Sequence, residues 1–105
     1  MKSEIQTKKL QDLYKAILSL ESVKEAEMFF RDLCTLEELR AMQERWEIVK
    51  LLDKGKTYRE IADELKVSTT TVSRVALWYK NGRGGYRLVI NRINHHRNNS
   101  FGKKL

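Results

Sequence analysis

The chain has 105 residues, carries 21 Lys and Arg against 14 Asp and Glu for a formal charge of +7 at neutral pH, and is 41% hydrophobic. A monomer of this size buries only about 60–65% of its extended-chain surface, which excludes a large multidomain enzyme and favours a dimer that pools apolar surface. The single cysteine, Cys34, rules out an internal disulfide and a CxxC zinc site, and no run of 18 apolar residues or leader-like apolar stretch follows the charged MKSEIQTKK start. A cytoplasmic protein with no membrane partner is expected.

Proline is absent, and the five glycines stand at 55, 82, 84, 85 and 102, which leaves long stretches free to be helical. The fold class is read as all-α. Ile5, Leu10, Leu13, Tyr14, Ile17 and Leu18 recur at helical spacing, and Val23, Ala26, Phe29, Phe30 and Leu33 form a second stripe. TLEE at 35–38 has capping-box spacing, so a third helix starts there. Its stripe of Leu36, Leu39, Met42, Trp46, Val49 and Leu52 is widened by Ile48 and Leu51, the coverage of a central or intersubunit helix. Lys54 and Gly55 stop it. Thr57 and Glu60 repeat the capping spacing and open a short helix to about Leu65, and Ser68 caps the next, which runs to about Tyr79. NGRGG at 81–85 resets the direction. Tyr86, Val89, Ile90 and Ile93 then give an amphipathic turn or two, and residues 97–105 read as a flexible basic tail.

Charge is unevenly distributed. Residues 1–53 sum to −2 and residues 54–105 to +9, with no acidic residue after Glu64. Cations concentrated in this way attract polyanions, because Lys and Arg beside phosphates release condensed counterions. The bland alternative is a solubilising basic surface.

The most informative stretch is TYREIADELKVSTTTVSRVALWY, residues 57–79. Ile61 and Leu65 supply the inner face of one helix, Ala62 permits close crossing, Val67 fills the corner, and Val72 and Val75 point inward from the second. This is the pattern of a helix-turn-helix, whose second helix enters the DNA major groove. Ser68, Thr69, Thr70, Ser73 and Arg74 then face outward. Short hydroxyls approach phosphates or base edges without bulk, and Arg offers a two-pronged donor to guanine. Arg59 and Lys56 fall where the DNA backbone or a base edge is reachable, and Lys54, Lys80, Arg83 and Arg87 are outer phosphate candidates. Lys66 departs from the motif at a turn position often held by glycine, which predicts either a strained backbone or an adjusted turn there.

FFRDLCT at 29–35, RWEIVKLL at 45–52, and REIADEL with TVSR at 59–74 closely resemble the bacterial tryptophan repressor family, in particular its YerC/YecD-type Trp-repressor-like branch, over roughly residues 10–95. The resemblance implies an intertwined all-helical homodimer built on a single domain, here residues 1–96. It also implies a repressor that presents two helix-turn-helix units to successive major grooves of a palindromic operator in double-stranded DNA. In the tryptophan repressor the indole lies between two arginines, near a threonine region. The matching positions are Arg45, Arg74 and Thr35, which leaves room for a small-molecule corepressor. Val75, where that repressor has glycine, adds bulk near the indole position and argues against L-tryptophan. An ion pair with Glu38 or another glutamate of the same helix is the alternative role for Arg45.

No arrangement supports catalysis. His95 and His96 are adjacent and diverge on a helix, no metal set is evident, and NGRGG lacks the context of a phosphate-binding loop. Trp46 and Trp78 read as core residues. The expected function is therefore a sequence-specific DNA-binding regulator, with a helical protein-interaction adaptor that keeps the scaffold without reading DNA as its rival.

Overall fold

A computed structural model of the chain describes residues 7–104, with side chains through His96. Among the described residues there are six α-helices: α1 (Thr7–Leu18), α2 (Val23–Leu33), α3 (Leu36–Asp53), α4 (Tyr58–Leu65), α5 (Thr69–Asn81) and α6 (Gly85–Lys104). The all-α expectation holds. Ile5, at the head of the predicted first stripe, and Leu105 lie outside the described residues. The chain divides after Arg40 into two compact units.

The first unit has no buried residue in α1 or α2. Leu10, Leu13 and Ile17 are partly covered, whereas Leu18 is 82% and Val23 88% exposed. Ser22 caps α2 by accepting from the Glu25 amide, and the Phe29 and Phe30 rings meet edge to face at 5.7 Å. At the start of α3 the predicted capping box is present: Thr35 Oγ1 accepts from the Glu38 amide at 3.1 Å, and Glu38 Oε1 accepts from the Thr35 amide at 2.8 Å.

In the second unit four helices share one core. Ile48, Val49 and Leu51 of α3, Ile61 and Ala62 of α4, Val72 and Val75 of α5, and Ile90 of α6 form a continuous buried cluster, with Trp46, Leu65, Val67 and Tyr79 packed against it. Burying each of the Val, Leu and Ile side chains contributes about 1.5–3 kcal/mol, and this cluster sets where α4 and α5 lie.

Two helix ends use the same device. After α3, Gly55 takes a left-handed φ of 86°, its amide donates to the Leu52 carbonyl, and the Lys56 amide donates to that of Leu51, so that two orphan carbonyls are satisfied. After α4, Lys66 takes φ 60° and ψ 46°, and the Val67 amide donates to the Ala62 carbonyl. The backbone strain expected at Lys66 is present. Helix α6 runs to Lys104, well past the turn or two predicted for it. No helix of the described residues is long and apolar enough to cross a membrane.

Candidate nucleic-acid interface

The site is built on α4 and α5, which pack against each other across the turn at residues 66–68. Thr57 starts α4 with a complete capping box: Glu60 Oε1 accepts from the Thr57 amide at 2.8 Å, and Thr57 Oγ1 accepts from the Glu60 amide at 3.1 Å. The bond from the Thr57 backbone, then that from its side chain, hold the Glu60 carboxyl below the usual glutamate range, and Lys56 adds to the effect. Ser68 caps α5 by accepting from the Thr71 amide at 3.0 Å, and its hydroxyl also meets Thr71 Oγ1 at 3.0 Å.

All five predicted outward residues of this helix are exposed, from Ser68, Thr69 and Thr70 to Ser73 and Arg74. Their hydroxyls are not equivalent. Ser68 is engaged as the cap, and Ser73 Oγ donates to the Thr70 carbonyl at 3.0 Å. The Thr69 and Thr70 hydroxyls and the Arg74 guanidinium have no hydrogen-bond or ion-pair partner among the described residues. Val75, by contrast, is 5% exposed and belongs to the core.

The surrounding cations fall into two groups. Lys56, Arg59 and Arg83 are exposed, and Arg59 and Arg83 have no partner among the described residues. Lys80 and Arg87 are engaged within the chain. The Lys80 ammonium stands 5.4 Å from the centre of the Tyr58 ring, and the Arg87 guanidinium stands 4.6 Å from that of Tyr79, contacts worth about 0.5–1 kcal/mol at exposed sites. Arg87 Nε also donates to the Tyr79 carbonyl at 3.2 Å, and the Tyr79 hydroxyl donates to Asp53 Oδ1 at 3.1 Å. Partial burial first, then Asp53, push the Tyr79 hydroxyl above its ordinary pKa. Sequence reasoning missed this cluster. Asp53 and Tyr79 are 26 residues apart and carry no local signal.

Of the residues matched to the indole pocket, Thr35 is the cap of α3, and Arg45 and Arg74 are both exposed. The alternative ion pair for Arg45 is absent among the described residues; α3 carries one between Lys50 and Glu47 at 2.8 Å. A cleft of about 520 Å³ in this unit is lined by Trp46, Lys50, Asp53, Lys54, Ile90, Ile93 and Asn94, and so by neither arginine. Trp78 corrects the sequence reading: it is 62% exposed, because the inner face of α5 is taken by Val72, Val75, Ala76 and Tyr79.

The model of the Trp repressor protein family matches residues 8–94. The chain belongs to the Trp repressor family. Among its relatives is the uncharacterized protein YerC of Bacillus subtilis (strain 168), 36% identical over 90 residues and matched over 86% of each chain. Two solved structures share the Trp repressor fold with it. A TrpR-like protein from Eubacterium eligens ATCC 27750 superposes with a TM-score of 0.79 at 38% identity, over 85% of this chain and 92% of that one. A Staphylococcus aureus chain described as a candidate Trp repressor gives a TM-score of 0.76 at 35% identity, over 87% of this chain and 96% of the other. The YerC-type resemblance read from the sequence is thereby established for this member of the Trp repressor family.

Proposed function

We propose that the chain is a homodimeric, sequence-specific DNA-binding transcriptional regulator that represses from a palindromic operator, with α4 and α5 as its helix-turn-helix. The observation that carries this reading is the exposed face of α5, where Thr69, Thr70 and Arg74 hold unspent hydrogen-bonding groups on a helix braced by α4, in a member of the Trp repressor family. Thr69, Thr70 and Arg74 meet base edges. Ser68 and Ser73, already bonded to their own helix, sit at the phosphate side with Lys56, Arg59, Lys80 and Arg83. The adaptor reading expects this face to be covered by the chain's own C-terminal segment, and its exposure gives that reading no support.

Homodimer formation is supported by α1 and α2, in which no residue is fully buried in the single chain while Leu18 and Val23 face solvent. The partner's copy of these helices supplies the missing cover. Any corepressor is assigned to the space bounded by Arg45 and Arg74, with L-tryptophan disfavoured.

Genome-fragment selection with the purified protein tests the function. Binding of an enriched palindrome is then compared with scrambled duplex at several salt concentrations, with and without L-tryptophan. A preference of at least about 10³ for the palindrome is expected. Uniformly weak, steeply salt-dependent binding to both duplexes would refute sequence reading and move the adaptor ahead.

A further inference from the structure

Resting on that DNA-reading function, we propose that Tyr79 is the positioning residue of the reading helix, and that Arg87 serves Tyr79 instead of a DNA phosphate. Three helices converge on this one residue. Its hydroxyl donates to Asp53, the last residue of α3, its ring carries the Arg87 guanidinium from the first turn of α6, and its carbonyl accepts from Arg87 Nε. The carbonyls of the last helical turn have no partner within the helix, and the negative end of the helix dipole attracts a cation. Gly82 satisfies the Trp78 carbonyl through its amide, and Arg87 satisfies the next one. Beside them, Lys80 over the Tyr58 ring ties the same turn to α4.

The C-terminal turn of α5 is thus fastened to α3, α4 and α6, while Thr69, Thr70, Ser73 and Arg74 stand exposed at the other end. Tyr79 lies nine positions after Thr70, about 14 Å along the helix axis. A small tilt at the fastened end therefore swings the base-reading hydroxyls by a larger displacement. Base-edge hydrogen bonds weaken steeply with distance and angle, whereas attraction to phosphate falls off slowly. Loosening the clamp should accordingly reduce sequence preference and spare general DNA affinity.

Lysine at position 87 keeps the charge but lacks both the planar guanidinium and Nε, so Arg87→Lys separates the two roles. The full chain and its Tyr79→Phe, Arg87→Lys and Arg87→Gln variants are titrated with the selected palindrome and with scrambled duplex across salt, and their folded fractions are checked by urea unfolding. In each variant we expect the palindrome-to-scrambled ratio to fall roughly fivefold to tenfold, with scrambled-DNA affinity and its salt slope unchanged. Wild-type behaviour of Arg87→Lys, together with a salt slope shallower by about 0.9 in Arg87→Gln, would identify a phosphate contact and overturn the proposal. Parallel losses on both duplexes that track the unfolded fraction would also overturn it, since they describe a merely structural residue. If the wild-type chain itself shows no preference, the DNA-reading function fails separately, and amide exchange in the free protein decides the clamp. Severalfold faster exchange across residues 76–81 in Arg87→Lys, with α4 unchanged, supports it; equal rates overturn it.

Discussion

Lys66 holds at the end of α4 the seat that Gly55 holds at the end of α3, with the same left-handed backbone and the same bond from the following amide to the carbonyl five residues back. A lysine there carries a penalty of about 1–2 kcal/mol that glycine avoids, partly offset by the greater freedom of glycine in the unfolded chain. Lys66→Gly is therefore expected to stabilise the protein by about 0.5–1 kcal/mol, read as a higher urea midpoint at unchanged slope. Glu60 gives a second expectation at this scale. Its folded pKa lies below its unfolded one, so its contribution is complete above the unfolded value and is lost as pH falls through the folded value. Between about pH 5 and pH 3 the wild type should lose more stability than Glu60→Gln, which keeps the side-chain acceptor without the titration. Both features could be read from the sequence because they are local: a turn position that favours glycine, and a threonine three residues ahead of a glutamate.

Helix starts and stops were legible for the same reason. Thr35, Thr57 and Ser68 each cap the helix assigned to them, and Gly55 ends α3. Where apolar periodicity was the only guide, the reading fell short. Beyond Ile93 the sequence NHHRNNSFGKK offers no stripe, yet α6 continues to Lys104. Trp78 sits in an apolar run, but its angular position places it off the face occupied by Val72, Val75 and Tyr79. Contacts such as Asp53 with Tyr79 depend on how α3 and α5 pack, which no local pattern encodes. Helix α5 itself divides stability from readout. Ser68→Ala should cost about 1 kcal/mol in unfolding measurements because it removes the cap. Thr70→Ala should leave stability within about 0.5 kcal/mol of wild type and change the bases preferred in a binding-site selection.

For the molecule as a whole, the first unit presents apolar helix faces that the single chain does not cover. If a second copy covers them, the melting temperature rises with protein concentration, and sedimentation gives twice the chain mass. Leu18→Glu should shift that equilibrium toward single chains, because the new charge would have to be buried in the shared core. The charge division has a separate consequence. With the second half at +9 and the first at −2, DNA affinity should decline steeply with salt, and Arg83→Gln should reduce that slope by about 0.9 as one phosphate contact is lost.

The exposed position of Trp78 also equips the protein with an optical reporter. The chain has two tryptophans, one half-buried against the core at Trp46 and the other open to water on α5. In a Trp46→Phe background, indole emission comes from Trp78 alone, which at 62% exposure is open to a soluble quencher such as acrylamide. Any macromolecule that settles along this side of α5 would shield it, so docking can be followed in real time without attaching a dye.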